Sequence, residues 1–352
     1  MTGKNLATLA RALVADHKGL LAIDESVETC NTRFAAFGIP PNAEMRRDWR
    51  ELLVTTPGLG TSISGVILFD ETIRQLGADG RSFVRMLADA GIVSGIKVDT
   101  GITDLAGHPG ETITNGLRGL APRLAEYASM GARFAKWRAV FAISGDRPSP
   151  GCIDANADAL ARYAVACQQH GLVPIVEPEV LMEGFHPIAR CADVTEAVLN
   201  AVFRHCHDRG VALDAMILKP NMVMAGTEWP LQSGVGDAAA ATMRVLSRAV
   251  PVAVPGIAFL SGGQTADLAT ARLNAMNQRS GTSAPWQLSF SYGRAIQQPA
   301  LAIWRGQSAQ VAAAQSAVAH RAALNRTACA GRYDVTMESG ADSETRSLAL
   351  VH

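Results

Sequence analysis

Val173-Pro174-Ile175-Val176-Glu177-Pro178-Glu179 is an apolar run that turns acidic at alternate positions, and its reading decides the fold. Four apolar residues with no polar alternation mark a strand covered on both faces, as in a parallel sheet. The two glutamates, two residues apart, lie on one face of that strand. Working outward, similar short runs recur along the chain. Upstream are Leu20-Leu21-Ala22-Ile23, Gly65-Val66-Ile67-Leu68-Phe69, Gly95-Ile96-Lys97-Val98 and Arg133-Phe134-Ala135-Lys136-Trp137. Downstream are Ala215-Met216-Ile217-Leu218, the stretch 253–260 and Trp286-Gln287-Leu288-Ser289-Phe290. Helical spacing appears between most of them, as in the stripes Leu117, Leu120, Leu124, Tyr127 and Val194, Val198, Ala201, Val202. Eight alternating units in 352 residues predict an α/β fold, a single closed (β/α)8 barrel. An open doubly wound sheet is the competing architecture, but no GxGxxG turn follows an early strand. The stretch from Glu28 to Pro57 is too long for one helix and loop, so extra N-terminal helical structure is expected there. With no Gly/Ser or Pro-rich linker, residues 1–333 read as one barrel domain and 334–352 as a flexible C-terminal tail.

Bulk composition narrows the function classes. The 32 basic and 32 acidic residues cancel, so there is no global field to draw in nucleic acid or an acidic membrane. No apolar run approaches the about 20 residues of a spanning helix, and the N-terminus lacks a signal-peptide pattern. Six scattered cysteines without a CxxC pair read as reduced thiols of a cytoplasmic protein. Eight dispersed histidines offer no ligand spacing of the usual kinds, so no metal is expected. His205 and His207, two apart on a helix, face different ways.

The chemistry gathers at the strand ends, which in a barrel share one pocket. There stand Asp24 and Ser26, Lys97 and Asp99, Lys136 and Arg138, Glu177 and Glu179, Lys219, Ser261-Gly262-Gly263, and Gly293-Arg294. That is much charge for core strands, since burying an unpaired ion is costly. The chain has only five lysines, Lys4, Lys18, Lys97, Lys136 and Lys219, yet three of them end apolar strands. Arginine supplies the other 27 positive charges, and arginine can neither deprotonate at neutral pH nor form an imine. A self-satisfied ion-pair network explains any one pair; it does not explain the whole set at one end of the barrel. An imine-forming mechanism gives each residue a role. Lys219 attacks a carbonyl when neutral, with Lys136 as the neighbouring cation that favours the neutral form. Glu177 exchanges the proton that the carbinolamine needs to lose water, and Asp24 takes the proton of the hydroxyl beyond the bond that breaks. The iminium is the electron sink, so neither cofactor nor metal is called for. The turns Ser261-Gly262-Gly263 and Tyr292-Gly293-Arg294 suit a phosphate, which barrels often bind after strands seven and eight. Lys97 and Arg138 could hold a second one across the pocket.

At these residues the chain resembles the class I (Schiff-base) fructose-1,6-bisphosphate aldolase family. The resemblance runs in order through Leu21-Ala22-Ile23-Asp24-Glu25-Ser26, Gly95-Ile96-Lys97-Val98-Asp99, Phe134-Ala135-Lys136-Trp137-Arg138 and Val176-Glu177-Pro178-Glu179. It continues through Leu218-Lys219-Pro220-Asn221-Met222-Val223, Leu260-Ser261-Gly262-Gly263-Gln264 and Phe290-Ser291-Tyr292-Gly293-Arg294-Ala295. The matches extend over roughly residues 4 to 333. The resemblance implies reversible cleavage of fructose 1,6-bisphosphate to dihydroxyacetone phosphate and glyceraldehyde 3-phosphate, with no metal. It places the Schiff base on Lys219, the acid/base glutamate on Glu177, and further catalytic groups on Asp24, Lys136 and Glu179. It puts the phosphate nearer the carbonyl at Ser261, Gly262, Gly293 and Arg294. The other phosphate falls to Ser26, Thr29, Lys97, Arg33 and Arg138. It also implies a homotetramer acting on small sugar phosphates in the cytoplasm.

The chain departs from the family pattern in three places. Thr29 stands where the family has a serine, Thr32 replaces a lysine beside Arg33, and the chain ends Leu348-Ala349-Leu350-Val351-His352 without the family's terminal tyrosine. These bear on substrate preference, so sedoheptulose 1,7-bisphosphate and fructose 1-phosphate stand as alternative substrates. A non-catalytic protein on the same fold and a metal-dependent barrel lyase are the readings from other classes. The intact charged set argues against the first and the scattered histidines against the second.

Overall fold

The computed structural model describes residues 3–280 and 284–340. Its strands are β1 (Gly19–Ala22), β2 (Ile63–Leu68), β3 (Val93–Lys97), β4 (Ile102–Asp104), β5 (Thr112–Thr114), β6 (Phe134–Phe141), β7 (Val173–Val180), β8 (Ile217–Leu218), β9 (Gly256–Phe259) and β10 (Gln287–Tyr292). The helices are α1 (Gly3–Leu13), α2 (Val27–Ala35), α3 (Ala43–Val54), α4 (Asp70–Arg74), α5 (Phe83–Asp89), α6 (Leu120–Ser129), α7 (Pro150–Gln169), α8 (Ile188–Asp208), α9 (Val235–Ala249), α10 (Ala266–Ser280), α11 (Arg294–Trp304) and α12 (Val311–Cys329). Eight strands close into a barrel in the order β1-β10-β9-β8-β7-β6-β3-β2, every pairing parallel. All eight predicted runs are barrel strands.

Alternation along each strand sets the two faces of the barrel wall. Leu21, Ile23, Trp137, Val176, Leu218, Phe290 and Tyr292 join the large core between the wall and the helices. Leu20, Ala22, Ile67, Phe134, Ile175, Ile217 and Ala258 form a second, interior core. Leu6, Ala7, Ala10, Leu13 and Val14 of α1 and its end belong to this interior core, so α1 plugs the N-terminal mouth. Phe134 fills the barrel floor because Gly95 faces it: a Cβ there would sit 2.1 Å from the ring. The same interior columns turn charged further up. Phe134 leads to Lys136 and Arg138, Ile175 to Glu177 and Glu179, Ile217 to Lys219, and Ala22 to Asp24. Apolar below and ionic above, the barrel interior is open for chemistry at one end.

The extra N-terminal helix expected between Glu28 and Pro57 is present: α2 and α3 are separate because Gly38-Ile39-Pro40-Pro41 interrupts the helix and Asn42 caps a second one through Met45 N–H at 2.8 Å. Other expectations are corrected. The antiparallel hairpin β4–β5 follows β3 and was not anticipated. The strand expected at 253–260 starts only at Gly256, and that expected at 215–218 keeps Ile217 and Leu218, a 3-10 turn over Leu213–Ala215 taking the rest. A further 3-10 turn, Val335–Gly340, is tied down by an ion pair between Arg321 of α12 and Glu338, and by Tyr333 donating to Glu338 at 2.8 Å. The last residues, 341–352, with the missing tyrosine and His352, lie outside the described residues.

Candidate active site

At the C-terminal end of the strands the interior opens into a cavity of about 920 Å³. Asp24, Ser26, Thr29, Arg33, Lys97, Lys136, Arg138, Glu177, Glu179, Lys219, Ser261, Gly262, Gly293 and Arg294 all line it. Every candidate named from the sequence is therefore in one site, but the residues fall into separate groups within it.

The central group is a chain of four ions. Lys219 Nζ lies 3.0 Å from Glu177 Oε1, the other carboxylate oxygen of Glu177 lies 3.1 Å from Lys136 Nζ, and Lys136 Nζ lies 2.7 Å from Asp24 Oδ2. Lys219, Lys136 and Glu177 are each only 4 % exposed, so these charges meet in a water-poor place where each interaction is strengthened. Local structure fixes each member. Lys136 is in the middle of β6 and Glu177 in β7, and the pairing Arg138↔Glu177 sets their stagger. Lys219 directly follows β8, its N–H still bonded to Val176 O at 2.8 Å, before Pro220 turns the chain away. Burial by itself would lower the Lys136 pKa, but the carboxylates of Asp24 and Glu177 raise it well above the ordinary amine range. Burial would raise Asp24, but Lys136 first, then Lys219 and Lys97, hold it at about 2. Glu177 likewise is pushed up by burial and pulled below its ordinary value by Lys136, Lys219 and Arg138. At neutral pH the site holds carboxylates on Asp24 and Glu177 and an ammonium on Lys136.

Glu179 belongs to a second group. It pairs with the Arg138 guanidinium and, among the described residues, makes no ion pair with a lysine, while burial and Glu179 act in opposite directions on Arg138, with a net rise. Lys97 is bound to Asp99 at 2.6 Å. After β1, Ser26 caps α2, accepting from Thr29 N–H at 3.2 Å, and the two hydroxyls touch at 3.0 Å. Arg33 is not free in the cavity, being held by Glu25.

Glu25 is one of the site-shaping residues that motif reading missed. It pairs with Arg33 and with buried Arg50 at 3.0 Å, and accepts from Gln297 of α11 at 2.7 Å. Gln297 also donates to Ala22 O at 2.6 Å and accepts from Trp49 of α3 at 3.2 Å. This knot holds the β1–α2 turn, with Asp24 and Ser26, against α3 and α11. The sequence signal was the Glu25 between two candidates, but its partners are 8, 25 and 272 positions away.

The remaining wall is made of two small-residue turns. Gly262 and Gly263 have φ of 57° and 87°, in the left-handed region, which glycine enters without strain. A Cβ on Gly263 would stand 2.8 Å from the Arg294 guanidinium, so the glycine is what lets that arginine close over the turn. Gly293 caps α11 and Arg294 opens it. Backbone N–H groups and a cation thus converge here, a combination suited to a phosphate. Among the described residues no group of three or more His, Cys, Asp or Glu side chains could hold a metal ion, and no helix is long and apolar enough to cross a membrane.

Comparison with known proteins gives one consistent answer. The family described as Fructose-bisphosphate aldolase class-I matches residues 5–350. A probable fructose-bisphosphate aldolase class 1 of Xanthomonas campestris is 51% identical over 334 residues, 95% of this chain and 99% of that protein. The cytoplasmic isozyme of fructose-bisphosphate aldolase from Spinacia oleracea is 51% identical, covering 90% of this chain and 88% of that one. Among solved structures, the aldolase of Plasmodium falciparum in complex with TRAP and a small-molecule inhibitor superposes with a TM-score of 0.92. It shares 45% identity over 94% of this chain and 95% of that one.

Proposed function

The chain belongs to the class-I fructose-bisphosphate aldolase family, a family of metal-independent lyases, and from that premise we propose that Lys219 is its Schiff-base nucleophile. The observation that carries the assignment is the shared carboxylate: Glu177 sits 3.0 Å from the Lys219 amine and 3.1 Å from the Lys136 amine.

Proton accounting follows from that geometry. Lys219 passes a proton to Glu177 and is then free to add to the C2 carbonyl of fructose 1,6-bisphosphate. Glu177 returns the proton to the carbinolamine hydroxyl, which leaves as water and produces the iminium. Asp24, kept as a carboxylate by Lys136, accepts the proton of the C4 hydroxyl. The C3–C4 bond breaks, its electron pair flows to the iminium nitrogen, and glyceraldehyde 3-phosphate departs. Protonation of the enamine at C3 and hydrolysis of the imine then release dihydroxyacetone phosphate. Lys136 is the cation that keeps two carboxylates ionised side by side, and Glu179 holds Arg138 at the rim. The carbonyl-side phosphate is assigned to Ser261, Gly262, Gly293 and Arg294, and the distal one to Ser26, Thr29, Lys97, Arg33 and Arg138.

The same reading makes residues 1–333 the catalytic domain of a cytoplasmic homotetramer. Light scattering tests the assembly, a 37.1 kDa species being the result that rejects it. Trapping tests the nucleophile: incubation with dihydroxyacetone phosphate and borohydride should add the reduced adduct to Lys219 alone. Adduct elsewhere, turnover surviving in Lys219→Arg, or activity abolished by a chelator each defeats the assignment.

A further inference from the structure

Arg272 of α10 is an arginine without an anion. It is 7 % exposed, and among the described residues it forms no ion pair. Its guanidinium donates to Gln264 Oε1 at 2.8 Å, to Ser233 O at 2.9 Å and to the thioether of Met224, while its Nε is buried with no partner. Burial pulls its pKa below the ordinary arginine value, and the opposing influence comes from Tyr292 and not from a carboxylate. By contrast, buried Arg50 faces Glu25, Arg46 faces Glu71 at 2.7 Å and Arg321 faces Glu338. A buried charge left unpaired is costly, so its position calls for a compensating partner.

The partner is indicated by what Arg272 touches. Ser233 and Met224 belong to the segment that follows Lys219, and Gln264 to the turn that follows β9. Gln264 in turn donates through Nε2 to Ser261 O at 2.8 Å, beside the bond from its own N–H to the same oxygen at 3.0 Å. The guanidinium fixes which way that amide points, since its Oε1 must face the arginine. Arg272 thus stands directly behind the Ser261-Gly262-Gly263 turn, which faces the cavity.

We propose that Arg272 is a positioning residue for the carbonyl-side phosphate: acting through Gln264, it sets the Ser261 turn and supplies a positive charge whose counter-ion is the substrate's phosphate. The inference rests on the assignment of that phosphate to the Ser261–Gly263 and Gly293-Arg294 turns. It separates phosphate recognition from imine chemistry, because Arg272 makes no contact with Lys219, Glu177, Lys136 or Asp24.

The test compares two ketones, dihydroxyacetone phosphate and unphosphorylated dihydroxyacetone, by borohydride trapping of the imine across a range of concentrations. Arg272→Gln keeps a hydrogen-bond donor and removes the charge. It should weaken half-saturation by dihydroxyacetone phosphate roughly tenfold, the scale of one charge-assisted hydrogen bond, and leave trapping of dihydroxyacetone unchanged. Arg272→Lys should recover much of the loss. Gln264→Ala, which leaves the charge but cuts the path to the turn, should also weaken only the phosphorylated ketone, and decides the matter should Arg272→Gln fold poorly. Equal losses for both ketones, or no loss for either, overturn the proposal. Arg294→Ala serves as the check on the site: a preference for the phosphorylated ketone that survives this change means that the phosphate assignment is wrong. A preference lost in Arg294→Ala but kept in Arg272→Gln and Gln264→Ala refutes the role of Arg272 alone.

Discussion

Lys136→Met would remove the cation at the centre of the ion chain while keeping the bulk of the side chain, and its effect on stability can be worked out from Asp24. Burial pushes Asp24 up, but Lys136 and the other lysines bring it from 3.8 to about 2. At about 1.4 kcal/mol per pKa unit, that depression is worth about 2.5 kcal/mol at neutral pH. The folded-state value is the lower one, so this stability is present above the unfolded value of 3.8 and is lost as pH falls through about 2. By pH 3 roughly half of it is gone. Lys136→Met takes away the strongest opposing charge and leaves the burial penalty, with Glu177 losing the same partner. Breaking a buried pair by deleting one member costs about 3–5 kcal/mol, which brackets the expected loss from above. Urea unfolding at fixed protein concentration should therefore show Lys136→Met destabilised by about 2.5–5 kcal/mol at pH 7 and by clearly less at pH 3. The double variant Asp24→Asn, Lys136→Met should recover part of the loss. A single variant within about 0.5 kcal/mol of the parent at pH 7, or a double variant no more stable than the single, would refute the reasoning.

Three further outcomes are expected. Glu177→Gln keeps the size and removes the proposed shuttle between Lys219 and the carbinolamine; kcat should fall by roughly 10²–10⁴ while KM changes little, read by steady-state cleavage of fructose 1,6-bisphosphate. Gly263→Ala must place a Cβ at φ 87° and 2.8 Å from the Arg294 guanidinium. A left-handed alanine costs about 1–2 kcal/mol, so KM should rise several-fold with kcat near that of the parent; an unchanged KM counts against the close approach of that turn. All six cysteines are buried, and burial pushes Cys152 to about 11 and Cys206 and Cys329 to about 12. A thiol-exchange reagent should find no fast-reacting cysteine in the native protein and six after denaturation.

Much of the architecture was legible because a parallel barrel writes its strands as continuous apolar runs, and each of the eight runs is a strand. Their edges were less legible, for physical reasons. The strand expected at 215–218 shrinks to Ile217 and Leu218 because a 3-10 turn over Leu213–Ala215 precedes it. The hairpin β4–β5 carried its own signal, alternating Ile102-Thr103-Asp104 and Thr112-Ile113-Thr114 around Gly107, Pro109 and Gly110. The Pro40-Pro41 break between α2 and α3 was equally readable, since a residue before proline leaves the helical region.

The site divides along the same line. The charged residues that converge on the cavity were legible because the interior faces of the strands change from apolar to charged at one end of the barrel, and because lysine is so rare elsewhere in this chain. Nothing local distinguishes Glu25 from a surface glutamate, or Arg272 from the other arginines, because pairing is decided by elements far apart in sequence. Arg50 and Arg272 have the same side chain and similar burial, yet one faces a carboxylate and the other faces a glutamine amide, a carbonyl and a thioether. A count of charges balanced at 32 each conceals that difference. What distinguishes a structural arginine from one held ready for an anion is the identity of its partners. Among the described residues Arg272 has polar partners but no carboxylate, and it lies behind the turn to which the phosphate is assigned in the proposal above.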